Sequence, residues 1–351
     1  MKKLFVLLAA ILLFCCACGD VPDDARGRLF MYTRADEDEY GVYWVSRGYS
    51  SDEPEPFCAK GLYYYNKATG ETYHYSENFD FLALHDGILY FCTSKLQGDR
   101  EIFIIPAETF RAAPEDWRKN AKRVVNLTFS STLDIWGDRF CFLSGGYLGE
   151  VTSTDANLEN PEYFIEINRV VCGYENGKYY TLDVEPNNDG TVKLTLCRDG
   201  DALFVLHERW SGLITRGDCC AIYNGYVYYY EENRMLRRRL SRWSKVEELW
   251  SGFDLRYTYH RWQSVTGVED GHITEILSYP CVYTNSNNDL IAVAADGVYV
   301  RDENDRVLCV ALDGSESKQV QLNFDGGNVF FISSLDNRLK YVNPDGVFLV
   351  E

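Results

Sequence analysis

The chain has 351 residues, of which 46% are hydrophobic, so it can bury one large core or two ordinary ones and is not wholly disordered. Its 53 Asp and Glu outnumber its 35 Lys and Arg, giving a net charge of −18. This charge argues against nucleic acid as a main partner and disfavours electrostatic attraction to an anionic membrane surface, because both need clustered positive charge. Aromatic residues reach 15%, with 26 tyrosines, which is typical of strand-rich proteins.

The first residues have the pattern of an export signal. Two lysines precede an unbroken apolar run at residues 4–14, and small residues and Cys18 follow. The run is about half the roughly 20 residues that a membrane-spanning helix needs. The segment resembles a bacterial lipoprotein signal, in which cleavage before a cysteine accompanies attachment of diacylglycerol to that cysteine. Simple secretion and a retained membrane anchor are the alternatives.

This resemblance implies a division of the chain into three parts. Residues 1–17 would be the signal peptide, residues 18–28 an acidic tether that begins at the lipid-modified Cys18, and residues 29–351 one domain. The lipid on Cys18 would hold the protein at the extracytoplasmic face of the cell membrane. We expect a monomer there.

The nine cysteines after Cys18 do not form a recognisable framework. Their number is odd, and no two of them have C-x-x-C spacing. Several, such as Cys92 and Cys141, lie in apolar runs, where a free cysteine behaves as a small hydrophobic residue. We therefore expect reduced cysteines in the core, with one or two disulfides as the alternative. The adjacent Cys219 and Cys220 would point to opposite faces of a strand, which disfavours a metal or redox pair.

A turn followed by a short β-branched or aromatic run recurs along the rest of the chain. In the three clearest copies the turn is Asn-Gly or Asp-Gly, which two-residue hairpins prefer because both central positions need positive φ. Repeats of about 40 to 50 residues that each hold several short strands are typical of a β-propeller. The turn glycines are Gly41, Gly87, Gly137, Gly177, Gly225, Gly271 and Gly327.

Individual strands can be counted in two of these repeats. Residues 82–127 and residues 290–322 each contain four strand-like runs separated by turns. Gly297, inside the second repeat, competes with Gly271 as its main turn, so the count ranges from six to eight. We predict an all-β fold, a β-propeller of about seven blades, each a four-stranded antiparallel sheet. A doubly wound α/β fold would need helices between the strands, and two sandwiches would need a linker.

One short inserted helix interrupts the strands. Residues 114–122 begin with Pro and acidic residues and end with basic ones, which suits the helix dipole. We place this helix between the third and fourth strands of one blade. The strand-like ends of the domain, residues 29–34 and 337–351, are expected to complete one blade between them and so close the ring.

Three of the repeats carry a family resemblance. The sequences GILYF at residues 87–91, GYVYY at residues 225–229 and RVLCVALDG at residues 306–314 are the clearest copies. They are similar to the β-propellers of uncharacterised bacterial lipoproteins, which are grouped by their likeness to the YWTD propellers of lipoprotein receptors. The resemblance implies a propeller fold and an extracytoplasmic location, and it implies no activity.

Sequence motifs of common enzymes do not occur. The zincin, serine-hydrolase, P-loop and dinucleotide-binding signatures are missing. The acidic residues 36–39 lack the alternating oxygen ligands of a calcium loop and are predicted to form a solvated turn. The oxygen-rich residues 187–190 and 285–289 are predicted to be hairpin tips. We therefore assign no catalytic residue, no metal site and no cofactor.

A basic cluster at residues 234–245 stands out in this acidic chain. On a strand, Arg237 and Arg239 share one face and Arg238 lies on the other. We interpret the cluster as an outer blade strand whose arginine stems lie along apolar surface. A docking patch for an anionic partner is the alternative.

Residues 253–262 are the strongest candidate for a ligand site. They fall where the blade pattern is least regular and combine aromatic rings with cationic groups, as sites for sugars, peptides or anionic ligands do. The candidate ligand-binding residues are Arg256, Tyr257, Tyr259, His260, Arg261 and Trp262. The alternative is an irregular blade strand whose alternate tyrosines enter the core.

These observations favour a non-enzymatic role. We expect a lipid-anchored, extracytoplasmic propeller that serves as a binding or scaffold module for a glycan, a peptide or an envelope protein. The second hypothesis is a carbohydrate-active hydrolase or lyase with its site at the mouth of the propeller channel. That activity would need paired acids, or His260 with an acid and an arginine, facing each other at the mouth.

Overall fold

Short antiparallel strands make up most of the computed structural model. The described residues are 28–29, 35–46, 60–76, 79–94, 100–124, 132–137, 139–144, 150–154, 162–164, 169–189, 191–210, 220–231, 234–251, 259–269, 272–283, 292–301, 307–320, 329–343 and 345–350. The first strand is β1 (Arg28–Leu29). Five sheets of four strands follow, each in chain order, and we number them blades 1 to 5. Blade 1 contains β2 (Ala35–Glu37), β3 (Gly41–Ser46), β4 (Gly61–Asn66) and β5 (Glu71–Tyr75).

The next four blades repeat this meander. Blade 2 contains β6 (Phe79–His85), β7 (Ile88–Ser94), β8 (Arg100–Pro106) and β9 (Lys122–Val124). Blade 3 contains β10 (Thr132–Trp136), β11 (Arg139–Ser144), β12 (Glu150–Thr154) and β13 (Glu162–Phe164). Blade 4 contains β14 (Arg169–Glu175), β15 (Lys178–Pro186), β16 (Val192–Arg198) and β17 (Asp201–Trp210). Blade 5 contains β18 (Cys220–Tyr223), β19 (Tyr226–Glu231), β20 (Arg234–Arg239) and β21 (Val246–Ser251).

Two further blades and one separate hairpin complete the chain. The hairpin, which we call the hairpin insertion, contains β22 (Tyr259–Glu269) and β23 (His272–Tyr283). Blade 6 contains β24 (Ala292–Ala294), β25 (Gly297–Arg301), β26 (Val307–Val310) and β27 (Ser317–Val320), with β1 paired to β24 as a fifth strand. Blade 7 contains β28 (Val329–Ile332), β29 (Leu339–Asn343) and β30 (Gly346–Leu349). The prediction of about seven antiparallel blades is thus confirmed.

The blades pack side by side because their strands bury both faces. In β3, Tyr43 and Val45 belong to a core shared with blade 2, whereas Val42 and Trp44 belong to a core shared with blade 7. Similar cores lie between blades 4 and 5, 5 and 6, and 6 and 7, and a smaller one joins blade 2 to Ile135 of blade 3. Since alternate side chains of a strand point to opposite faces, each inner strand serves two neighbours. Among the described side chains, the cores follow one another from blade 4 through blades 5, 6, 7, 1 and 2 to blade 3.

The turns between first and second strands explain the sequence repeat. Asp86, Asn176 and Asn224 have φ near +50°, and the glycine after each also has positive φ, as a two-residue type I′ turn requires. In blade 6 the two connecting residues are Ala295 and Asp296, and Gly297, with φ 154°, begins β25. Gly271 instead falls between β22 and β23 of the hairpin insertion. The choice of Gly271 as the sixth blade turn was therefore wrong, and the first two strands of blade 6 are joined by the turn just before Gly297.

The inserted helix lies where it was predicted, between the third and fourth strands of blade 2. A helix α1 (Ala107–Ala112) precedes a 3₁₀ turn (Pro114–Asp116) and helix α2 (Trp117–Asn120). Phe110 and Trp117 are buried against the core between blades 1 and 2, and the Trp117 ring lies 5.1 Å from that of Phe91. No helix among the described residues is long and apolar enough to cross a membrane.

The described strands from the two ends of the domain lie in different blades, which corrects the predicted closure, and residues 30–34 lie outside the described part. The N-terminal strand β1 pairs antiparallel with β24, with Arg28 opposite Val293 and Leu29 opposite Ala292. Blade 7 consists of three strands from the C-terminal segment alone, within the part of the chain that is described. Packing rather than a shared sheet joins blade 7 to blade 1, through a core that contains Trp44 and Phe331.

Five cysteines have described side chains, and all five are buried thiols, as predicted. They lie in four of the blades. The five are Cys92, Cys172, Cys197, Cys220 and Cys309. Burial raises the pKa of the Cys197 thiol to about 12, so this thiol stays protonated and unreactive at neutral pH.

A buried histidine lies between blades 4 and 5. His207 on β17 is 3% exposed, and its ring lies 4.6 Å from that of Trp210 and 5.4 Å from that of Tyr229. Its Nε2 atom has no hydrogen-bond partner among the described residues. Burial lowers the pKa of His207 to about 4, because the charged imidazolium would lose its hydration.

We predict that His207 makes the fold sensitive to acid. The unfolded chain protonates this histidine near pH 6.5 and the folded protein only near pH 4, so the folded state is favoured fully above pH 6.5 and less as pH falls toward 4. Between pH 7 and pH 5 the loss is about 2 kcal/mol. In urea unfolding, the free energy of unfolding of His207→Phe should not show this decrease of about 2 kcal/mol between pH 7 and pH 5. The half-exposed control His85→Phe should show the same decrease as the wild type. Equal pH dependence in His207→Phe and the wild type would contradict the assignment.

Candidate functional site

The predicted ligand-binding residues lie on the hairpin insertion and just before it. Tyr259, His260, Arg261 and Trp262 are the first four residues of β22. Their backbones pair with those of residues 280–283 on β23. Since β22 pairs with no blade among the described strands, the segment is an insertion between blades 5 and 6 and not an irregular blade strand.

The remaining predicted positions lie outside the described part. Arg256 and Tyr257 precede β22 in the undescribed residues 252–258, and the proposed acylation site Cys18 also falls outside. The oxygen-rich residues 285–289 are outside as well. These assignments therefore remain predictions from the sequence.

The two ends of the ring differ in how far their connections run. Because successive strands alternate in direction, first-to-second and third-to-fourth connections share one end, which we call the turn face. Blades 2 to 6 join their first two strands there through two residues each. The other connections share the opposite end, the loop face. There the chain leaves β3 at Ser46 and returns at Gly61, and it leaves β21 at Ser251 and re-enters the ring at Ala292.

The loop face of blade 4 has a structured polar rim. Asn187 donates from Nδ2 to Thr191 Oγ1 (2.9 Å) and to the Glu208 carbonyl (3.0 Å), and Thr191 donates from Oγ1 to Asp189 (2.6 Å). This is the tip of the β15–β16 hairpin, as predicted. The Thr191 hydroxyl and N–H lower the pKa of Asp189, so the carboxylate stays ionised at the tip.

An ion pair that the sequence analysis did not identify lies at the same end. Arg169 begins β14 and makes two hydrogen bonds to Asp183 on β15, at 2.6 and 3.1 Å. These bonds lower the pKa of Asp183. Counting outward from the Asn176-Gly177 turn would have paired Arg169 with Val184, because a bulge between Val171 and Gly173 shifts the register by one residue.

Most of the basic cluster lies on β20, which is the third strand of blade 5, so the predicted outer position is wrong and β21 is the edge strand. Within β20, Arg237 lies over the Tyr226 ring at 4.7 Å, and Arg238 lies over the Phe204 ring at 3.7 Å. Arg237 also donates to Glu247 and to the Leu312 carbonyl, which belongs to blade 6. The guanidinium groups of these two arginines thus interact with aromatic rings and polar groups of the same protein. For Arg237 and Arg238 this arrangement favours a structural role over an anionic docking patch.

The most extensive buried polar cluster crosses the junction between blades 7 and 1. Glu37 at the end of β2 is 2% exposed and accepts hydrogen bonds from Lys67 (2.6 Å), Lys340 and the Ser333 hydroxyl. Lys340 also contacts Asp336 at 2.9 Å. Burial opposes ionisation of Glu37, but the two ammonium groups and the hydroxyl outweigh it and hold the pKa of this carboxyl below its usual range.

Neighbouring acids extend the same cluster, so the predicted solvated turn at residues 36–39 was wrong for most of its length. Asp36 accepts hydrogen bonds from the backbone N–H groups of Glu37 (2.8 Å) and Ser334 (3.1 Å), and burial raises its pKa to about 7. Asp38 accepts from Arg111 on α1 and from the Tyr43 hydroxyl. The acidic run therefore connects blades 7, 1 and 2 at the turn face.

The chemistry of this junction is structural. A carboxylate held by two lysines is neutralised and cannot take a proton from a substrate at neutral pH without breaking both contacts. No three His, Cys, Asp or Glu side chains in the described parts of the chain are grouped to hold a metal ion.

Comparison with known proteins gives no family. No protein-family model matches the chain, and no curated protein sequence matches it. Among solved structures, the chain is similar to YCF48 from Cyanidioschyzon merolae, with 10% identity over 93% of this chain and 98% of that chain and a TM-score of 0.44. It is also similar to the β-propeller domain of the Trilobed protease from Pyrococcus furiosus, with 12% identity over 84% and 97% of the two chains and a TM-score of 0.37.

A third similar structure is TolB from Acinetobacter baumannii, with 14% identity and a TM-score of 0.34 over 60% of this chain. The match spans about half of TolB, 51% of its length. At these identities and scores, the propeller assignment rests on the protein's own sheets and inter-blade cores.

We predict that Glu37→Gln weakens the fold by about 3 kcal/mol, because it leaves two ammonium groups facing a neutral amide in a buried junction. Urea unfolding at pH 7 measures the change. The matched control is Glu185→Gln, which breaks an exposed ion pair with Lys193 and should cost less than about 1 kcal/mol. Equal effects of the two substitutions would show that Glu37 does not hold the junction.

Proposed function

We propose that this protein is a lipid-anchored, extracytoplasmic propeller that binds a cell-envelope or extracellular ligand at its loop face. Its place would be among the bacterial lipoprotein propellers that resemble the YWTD type. The anchor is supported by the export pattern at residues 1–17 and by Cys18 directly after it. The binding role is supported by the geometry of the ring.

The difference between the two faces is the observation that carries the binding role. Apart from the helical residues 107–121 of blade 2, the described connections of the turn face are short. The loop face carries the long excursions of the chain, between Ser46 and Gly61 and between Ser251 and Ala292. Binding residues concentrate on long connections that a rigid scaffold positions, and a ring of seven blades is such a scaffold.

The ligand class follows from the composition of the longest excursion. It contains Tyr259, His260, Arg261 and Trp262 at the start of β22, with Arg256 and Tyr257 shortly before. Aromatic rings stack on sugar and peptide groups, while arginine and histidine donate hydrogen bonds to anionic or carbonyl oxygens. A glycan, a peptide or an envelope protein fits this chemistry.

We predict that the mature chain begins with a diacylated Cys18. Mass spectrometry of the membrane fraction from a bacterial host should find this peptide, and Cys18→Ala should abolish both the modification and membrane retention. Cys16→Ala is the matched control and should retain both, because Cys16 leaves with the signal peptide. An unmodified, soluble wild-type chain would refute the anchor.

We further predict that the hairpin insertion determines ligand capture. Affinity capture from detergent-solubilised native membranes should lose its specific species with the double variant Arg261→Ala/Trp262→Ala, because the variant removes one stacking ring and one cationic donor. Lys119→Ala, an exposed cation on α2 at the turn face, is the control and should leave capture unchanged. Identical capture by all three proteins would place the ligand elsewhere.

A further inference from the structure

The direction of β1 shows on which side of the ring the N-terminal segment begins. β24 is the first of the four consecutive strands β24 to β27 of blade 6 and runs from Ala292 at the loop face to Ala294 at the turn face. β1 is antiparallel to it, with Arg28 opposite Val293 and Leu29 opposite Ala292. Arg28 is therefore the end of β1 nearer the turn face. The chain that precedes Arg28 in sequence joins the ring from that side.

The length of the tether limits how far the ring can stand from a lipid on Cys18. Ten residue steps separate Cys18 from Arg28 in the sequence. Even fully extended, such a segment spans at most about 35 Å, which is less than the width of many domains. A short tether that joins the turn face therefore favours orientations in which this face is directed toward the membrane.

The turn face also carries the most exposed large apolar side chains among the described residues. Trp243 is 94% exposed, and Tyr40 and Leu335 are each 53% exposed. Tyr40 and Leu335 lie on the first-to-second connections of blades 1 and 7, and Trp243 lies on the third-to-fourth connection of blade 5. All three connections belong to the turn face.

Trp243 is held at the tip of a hydrogen-bonded turn. Ser244 donates from Oγ to the carbonyl of Arg239 (2.6 Å) or of Ser241 (2.7 Å). The Arg238 guanidinium donates to the same hydroxyl at 3.2 Å. Arg242 and Lys245 flank the indole and are exposed. The turn thus presents an exposed indole that has two exposed cations close to it in the sequence.

We propose that the turn face rests on the lipid surface, with the Trp243 indole in the headgroup region and the loop face directed away from the membrane. This inference rests on the proposed acylation of Cys18. Tryptophan prefers the membrane interface, and Arg242 and Lys245 attract anionic headgroups locally although the whole chain is acidic. The tether supplies the high local concentration that such weak contacts need.

The test uses the protein as processed by a bacterial host, reconstituted in vesicles of phosphatidylglycerol and phosphatidylethanolamine that contain a headgroup-spin-labelled lipid. Subtracting the emission of Trp243→Phe from that of the wild type isolates the Trp243 signal. We expect this signal to be blue-shifted relative to that of the protein without its lipid in solution. We also expect it to be quenched at least twofold relative to vesicles without spin label. Hydrogen exchange should slow in residues 239–246 on the vesicles and stay unchanged in residues 187–191 of the loop face.

The outcomes separate the orientation from the anchor. A chain that carries no lipid and does not stay on the vesicles refutes both. Two results with an acylated, vesicle-bound chain would overturn the orientation and leave the anchor intact. In the first, the Trp243 emission equals that of the protein without its lipid in detergent-free solution. In the second, residues 187–191 become protected from exchange instead. Exchange protection confined to residues 239–246 and the other turn-face connections supports it.

Discussion

Glu37 holds the junction on which the ring depends. Every other pair of adjacent blades is also joined by a chain connection, whereas blades 7 and 1 meet without one and without a shared strand in the described residues. Lys340 reaches Glu37 across a sequence separation of 303 residues. Closing so long a loop costs entropy, and a buried carboxylate between two lysines adds directional contacts to the apolar core that contains Trp44 and Phe331. The ring is closed by packing and charge.

Because blades 7 and 1 are joined without a shared strand in the described residues, the N-terminal strand β1 is not needed for this closure and pairs elsewhere. β1 pairs with β24 and lies at the edge of the sheet of blade 6. The same polar junction lies at the turn face, next to α1 and its Arg111. The turn face thereby contains both the polar contacts between blades 7 and 1 and the point where β1 begins. The loop face contains the long connections between Ser46 and Gly61 and between Ser251 and Ala292.

Local chemistry allowed the blades to be predicted, because positive φ in an Asn-Gly or Asp-Gly turn depends only on the residues themselves. The choice between Gly271 and Gly297 could not be made in this way, since both follow an aspartate and precede strand-forming residues. Which partner a strand pairs with depends on distant segments, and so the hairpin insertion was counted as a blade. The cluster around Glu37 was missed for the same reason, since Ser333, Lys340 and Lys67 approach it only in the folded ring.

The two-sided strands have a consequence for how the molecule comes apart. Tyr43 and Trp44 are adjacent in the chain, yet they stabilise opposite neighbours of blade 1. Within the described part of the chain, blade 1 has no hydrophobic core of its own, so detaching it would expose apolar surface on both of its faces at once. Partial opening at a single interface is consequently expensive, and the domain should melt in one concerted step rather than shed its sheets in sequence.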